Sequence, residues 1–197
     1  MKNSKDLEKS ILESINLKKK LIEKKKEIYD SINLIHKTIN LGGTIFLCGN
    51  GGSAADAQHL AAELVVRLRP NINRKGLPAI ALSADTSYIT ACGNDYGFKK
   101  IFSRGLQALS KKNDLLIAIS TSGKSENIIE ALKYSKKNKI KTIGLLGKGG
   151  GRAKNFCDTN IIIPSNSTAR IQEAHIFLGH YIFENVEKLI INNIKNN

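Results

Sequence analysis

Apolar residues recur at helical spacing from the start of the chain. Leu7, Ile11, Ile15, Leu21, Ile22, Ile28, Ile32 and Ile35 are separated by Lys- and Glu-rich intervals, which predicts an amphipathic helix from residue 4 to about 40, ended by Gly42-Gly43. Such an arm needs a surface for its apolar stripe, either its own domain or a partner subunit. Beyond Gly43 the pattern changes to short, continuous apolar runs: TIFLCG (44–49), PAIALS (78–83), DLLIAIS (114–120), KTIGLLG (141–147) and TNIIIP (159–164), each predicting a buried strand. Helical patterns lie between them at 53–69 and 125–138, and a closing helix spans about 168–194. Residues 85–110 read as mostly helical or irregular, with a Gly-Asn-Asp-Tyr-Gly turn at 93–97. Buried strands alternating with amphipathic helices predict an α/β fold. The expected form is a three-layer α-β-α sandwich around a five-stranded, mainly parallel sheet, with right-handed crossovers and an N-terminal helical arm. The 197 residues are expected to form one domain, with the arm at 1–41 and the α/β core at 42–197.

Composition removes several function classes. Hydrophobic residues make up 41% of the chain and no stretch of 18 apolar residues occurs, so no membrane span is expected. The Lys-rich N-terminus lacks the apolar core of a signal peptide, which makes the cytoplasm the expected compartment. Cys48, Cys92 and Cys157 are widely spaced and odd in number, fitting small reduced core residues rather than a disulfide framework or thiolate zinc site. The net charge of +14 raises nucleic-acid binding, but the lysines are scattered among acids, without an Arg-rich run interleaved with aromatics. A solvated basic surface would still attract a phosphorylated substrate.

In a parallel sheet, ligands bind beyond the carboxyl ends of the strands. That places attention on the loops after Cys48, Ile119 and Leu146. Ser120-Thr121-Ser122-Gly123-Lys124-Ser125 follows the third strand and opens a helix, offering free backbone N–H groups, four hydroxyls and one glycine for close approach to a phosphate. Its spacing is not that of a Walker A loop. Gly49-Asn50-Gly51-Gly52-Ser53-Ala54 imitates a dinucleotide fingerprint, but the interval that should hold an acidic residue holds Arg67 and Arg69. Contact with a sugar's hydroxyls or carbonyl suits this loop better than a nicotinamide cofactor. Gly147-Lys148-Gly149-Gly150-Gly151-Arg152 fits a ligand contact and a loop tolerating positive φ equally well.

His59 and Glu63 stand four residues apart on a helix otherwise rich in Ala, Leu and Val, and so share a face. The pair suits metal ligation or a base held beside a polar partner. On the closing helix, Gln172 and His180 lie on one stripe with Ile176 between them, whereas His175 lies off it and reads as a structural histidine. Eight residues span about 12 Å of helix axis, so Gln172 and His180 share an ion only by reaching toward each other or from different chains.

Taken together, Cys-Gly-Asn-Gly-Gly-Ser (48–53), His59 with Glu63, Gly-Asn-Asp-Tyr-Gly-Phe (93–98), Ser-Thr-Ser-Gly-Lys-Ser (120–125) and Arg-Ile-Gln-Glu-Ala-His (170–175) with His180 resemble the phosphoheptose isomerase family of sugar isomerase (SIS) domains. The resemblance covers nearly the whole chain. It implies an aldose–ketose isomerase that converts sedoheptulose 7-phosphate to D-glycero-D-manno-heptose 7-phosphate through an enediol, the first step of bacterial heptose synthesis for surface polysaccharides. By the same resemblance, Ser120, Thr121, Ser122 and Ser125 bind phosphate, and Asn50, Gly51, Gly52, Ser53, Asn94 and Asp95 contact the sugar, with Arg67 nearby. Glu63 and His180 form the catalytic pair, Glu63 and Gln172 also touch substrate, and His59, Glu63, Gln172 and His180 hold one zinc ion. The family is tetrameric, with active sites between subunits, and some relatives carry an acid where this chain has Ala169. The alternative is a non-catalytic SIS-domain protein that senses a sugar phosphate or binds another protein, and the full His59, Glu63, Gln172 and His180 set argues against it.

Overall fold

The computed structural model describes residues 2–195, with side chains from 6 to 192. The arm forms α1 (Lys2–Lys20) and α2 (Lys25–Asn40), separated by a 3-10 turn at Leu21–Lys24. The expected continuous helix is therefore interrupted once, and Leu21 within the interruption is buried against the core. Five strands follow: β1 (Ile45–Cys48), β2 (Ala79–Ala81), β3 (Leu115–Ser120), β4 (Lys141–Leu146) and β5 (Thr159–Ile162). Between and after them run α3 (Gly52–Val65), α4 (Thr86–Tyr96), α5 (Ile101–Leu109), α6 (Glu126–Lys137) and α7 (Thr168–Lys195).

All strand pairs are parallel, in the order β2-β1-β3-β4-β5, with Cys48 of β1 opposite Ala118 of β3. Alternation along each strand feeds two cores. Ile45, Leu47, Leu115, Ile117 and Ile119 face α2, α3 and α7, whereas Phe46, Cys48, Leu116 and Ala118 face α4, α5 and α6. The three cysteines are free, with Cys48 and Cys92 buried. Ile28, Ile32 and Ile35 of α2 join the first core, so the arm finds part of its surface on its own chain. Leu7, Ile11, Leu12 and Ile15 of α1 remain 43% to 64% exposed. Among the described residues, no helix is long and apolar enough to cross a membrane.

Two expectations need correction. The helix predicted to reach residue 69 ends at Val65, because the Arg74 side chain takes the carbonyls of Glu63 and Leu64. The predicted turn at 93–97 is the last turn of α4, and only Gly97, at φ 83°, leaves the helix. Asp85 caps α4 by accepting from the Tyr88 N–H, and Tyr88, Ile89 and Cys92 pack on the second core. Packing thus carries the helix through the unfavourable Gly93-Asn94 pair.

From β1 the chain crosses to β2 on one side and later returns to β3 on the other. The crevice between the carboxyl ends of β1 and β3 is therefore the topological switch point, where an open parallel sheet admits a ligand.

Candidate active site

The loops leaving β1 and β3 flank that crevice and are tied across it. Asn50 and Asn127 form a reciprocal amide pair, each Nδ2 donating to the other's Oδ1 at 2.9 and 2.8 Å. Asn127 opens α6 just behind the serine loop, so this pair fixes the glycine loop against the helix N-terminus. Within the serine loop, Ser120 is buried and its Oγ accepts from the Gly123 N–H at 3.0 Å. Gly123 has φ +61° and lies directly against the Gly150 carbonyl, with no room for a Cβ. The Ala153 N–H donates to the Gly123 carbonyl at 2.9 Å, so the 147–153 loop buttresses the turn from behind. Thr121, Ser122 and Ser125 remain partly open at the head of α6. Free N–H groups, hydroxyls and the positive end of the helix dipole suit this turn to an anion.

From that crevice α3 and α7 run side by side in the same direction. The Gln172 carboxamide rests on Gly52 in the first turn of α3, and Gly179 packs on Leu60 two turns later. His59 and His180 then meet, with their Nε2 atoms 2.8 Å apart and their rings edge to face, centroids 5.0 Å apart. Glu63 Oε1 lies 3.5 Å from His59 Nε2. One donor atom from each of His59, Glu63 and His180 falls within 4.8 Å of the others, so this cluster could hold a metal ion. Two imidazoles and one carboxylate are the donor set of an open catalytic metal site. The cluster faces outward, the His59 side chain being 49% exposed and Glu63 20%.

Behind the cluster the groups are buried and paired. Glu187, two turns beyond His180, accepts from Arg69 Nε at 2.8 Å and Arg74 Nε at 2.7 Å. Burial alone would raise the Glu187 carboxyl, but the two arginine hydrogen bonds outweigh it and hold it below the ordinary carboxylate range. Asp56, one turn before His59, behaves oppositely. Burial raises its carboxyl, only partly offset by the His59 charge, and its Oδ2 has no hydrogen-bond partner among the described residues. His175 is fully buried on the inner side of α7, where burial pushes its imidazole down to about 4.

Comparison with known proteins gives this geometry a family. Residues 11–147 match the SIS domain model. A phosphoheptose isomerase of Clostridium acetobutylicum is 49% identical over 185 residues, covering 92% of this chain and 93% of its own. The chain belongs to the phosphoheptose isomerase family. Solved structures of phosphoheptose isomerases agree: that from Neisseria gonorrhoeae superposes with a TM-score of 0.85 at 38% identity, over 94% of this chain and 98% of its own. That from Francisella tularensis gives 0.88 at 33% identity, over 95% and 100%.

Of the residues singled out by the family resemblance, the structure gathers Asn50, Gly51, Gly52, Ser53, Ser120, Thr121, Ser122, Ser125 and Gln172 around the switch point. It gathers His59, Glu63 and His180 farther along α3 and α7. Arg67 lies exposed just beyond the end of α3. Asn94 and Asp95 stand apart: both are exposed at the last turn of α4, in the helical layer covering the opposite face of the sheet. Asn127, Asp56, Arg74 and Glu187 are site residues that sequence reasoning missed. An acid within the alanine-rich start of α3 was a usable signal for Asp56. The Arg74–Glu187 contact joins residues 113 positions apart and left no local pattern.

Proposed function

We propose that the chain isomerises sedoheptulose 7-phosphate to D-glycero-D-manno-heptose 7-phosphate, with Glu63 and His180 as the acid–base pair. The single observation carrying this reading is the meeting of a carboxylate and an imidazole from α3 and α7, two turns along α3 from the switch point and its serine loop. The serine loop grips the 7-phosphate, remote from the reacting carbons, and its binding energy positions C1 and C2. Asn50 and Gln172 stand at the first turn of α3, between the two ends, with Ser53 buried beneath them. Glu63 removes a proton from C1 of the ketose, leaving a C1–C2 enediolate, and returns it to C2. His180 gives a proton to O2 and takes one from O1, so that the aldehyde forms at C1 and the proton count closes.

His59, Glu63 and His180 fit a zinc ion, with Gln172 on the side toward which both imidazoles lean, since helical side chains tilt to the N-terminus. Bound there, the ion supplies polarisation of the carbonyl and stabilisation of the developing negative charge.

The working form in this reading is a cytoplasmic homotetramer, with one zinc per site and active sites between subunits. Two observations support it: the apolar side of α1 is uncovered, and Asn94 and Asp95 are exposed on α4, across the sheet from His59 and Glu63 of their own chain. Incubating the protein with sedoheptulose 7-phosphate, with and without a chelator, and following products by NMR tests the reaction and the metal together. Glu63→Gln is expected to abolish turnover in a folded protein, and near-normal activity in that variant rejects Glu63 as the base.

A further inference from the structure

Arg74 is a cation with almost no access to water. Its side chain is 2% exposed and that of Glu187, its partner at 2.7 Å, is 1% exposed. The remaining donors of the guanidinium all go to main-chain carbonyls. Nη2 donates to Glu63 O at 2.9 Å, and Nη1 to Leu64 O at 2.9 Å, Lys75 O at 3.1 Å and Val66 O at 3.4 Å. Two consequences follow from this inventory. The orphan carbonyls that end α3 are satisfied by a positive charge, the favourable sign at a helix C-terminus. One of those carbonyls belongs to Glu63 itself. The same guanidinium is anchored to α7 through Glu187, which lies seven residues beyond His180 and therefore on the same side of that helix.

We propose that Arg74 and Glu187 are a positioning pair, which sets the axial register of α3 against α7 and so the separation of the Glu63 carboxylate from the His180 imidazole. The inference rests on the reading of Glu63 and His180 as the acid–base pair. Neither Arg74 nor Glu187 touches substrate, so both act through the helices they join. Leu60 against Gly179 holds the helices close together, but an apolar contact resists sliding poorly. A fork of directed hydrogen bonds at the far end fixes how far one helix has slid along the other. Arg69, 28% exposed, donates to the other Glu187 oxygen and keeps the carboxylate oriented.

The test uses three variants of the full chain: Glu187→Gln, Arg74→Lys, and the double change Arg74→Met/Glu187→Met. Replacing a buried ion pair by apolar residues of similar volume commonly preserves folding, so the double variant separates charge pairing from packing. Should it fail to fold, the two single variants still decide. Each is assayed with sedoheptulose 7-phosphate beside wild type and Glu63→Gln, with circular dichroism and light scattering to normalise for folded protein. The ring nitrogens of His59 and His180 are followed by NMR. A displacement of the pair by about 1 Å is expected to lower kcat roughly 10- to 100-fold. KM should stay within about threefold, because the phosphate is held at the other end, and the His180 resonances should shift. Arg74→Lys, which keeps the charge without the fork, should fall between wild type and Glu187→Gln. Native kcat per folded molecule in Glu187→Gln or the double variant overturns the proposal, as does a rise in KM that matches the fall in kcat. If wild type and Glu63→Gln are equally inactive, the catalytic reading fails separately. The NMR signals then decide the clamp alone: unchanged His180 resonances refute it, and shifted ones uphold it.

Discussion

Gly179→Ala isolates the contact that sets how closely α3 and α7 approach. A Cβ at this position would lie 2.5 Å from Leu60 Cδ2 and 2.6 Å from Cδ1, whereas carbon atoms in contact settle near 3.5–4.0 Å. Leu60 is buried, 1% exposed, and borders only a small internal cavity of about 10 Å³ that it shares with Gly179, so its methyl groups have little space to enter. The helices must separate by about 1 Å or Leu60 must leave its rotamer, at about 1–3 kcal/mol. Replacing a mid-helix glycine by alanine returns roughly 0.5–1 kcal/mol, leaving a net loss of about 1–2 kcal/mol. Urea denaturation would show it as a lower midpoint with an unchanged slope. The kinetic effect should be larger than the thermodynamic one. His180 is the next residue, and about 1 Å of misplacement relative to Glu63 costs up to about 100-fold in kcat. Shortening the opposing side chain, in Leu60→Val/Gly179→Ala, should recover part of both. A Gly179→Ala protein at least as stable as wild type, with native kcat, would show that the helices do not need this approach distance.

Other outcomes follow from the same geometry. His175 is neutral in the folded protein down to about 4, against 6.5 for the free side chain, so between those values the unfolded chain binds the extra proton. Stability is complete above pH 6.5 and falls as the pH drops through about 4, by about 3 kcal/mol in all. Urea midpoints measured against pH should lose this slope in His175→Leu, and parallel curves for the two proteins would exclude His175 as its source. Gly123→Ala, at φ +61° and against the Gly150 carbonyl, should raise KM for the sugar phosphate by about tenfold or more. Inorganic phosphate should weaken as a competitive inhibitor to the same extent, and unchanged phosphate inhibition would place the anion elsewhere. Chelation should lower kcat and leave phosphate binding intact, as titration calorimetry with inorganic phosphate would show.

What could be read from the chain divides along a physical line. Continuous apolar runs such as LLIAIS announced the strands, because a strand covered on both faces needs an apolar residue at every position. His59 and Glu63 were visible because four residues on one helix always share a face. Helix boundaries were less legible. The end of α3 depends on a guanidinium ten residues downstream, and α4 continues through Gly93 because Cys92 is packed on the second core. The meeting of His59 with His180, and of Asn50 with Asn127, joins residues 121 and 77 positions apart. No local pattern encodes a distance of that kind. Motif resemblance supplied the residues, and only the fold brought them together.

Because the serine loop is tied through Asn127 and Asn50 to the start of α3, and the carboxylate–imidazole pair sits farther along that helix, the protein carries a built-in ruler. The interval is set by backbone: about 10 Å of helix axis runs from the first turn of α3 to His59. With the site residues in their proposed roles, a phosphorylated sugar two carbons shorter is expected to reach only one end at a time, so that chain length would be sorted before any chemistry begins.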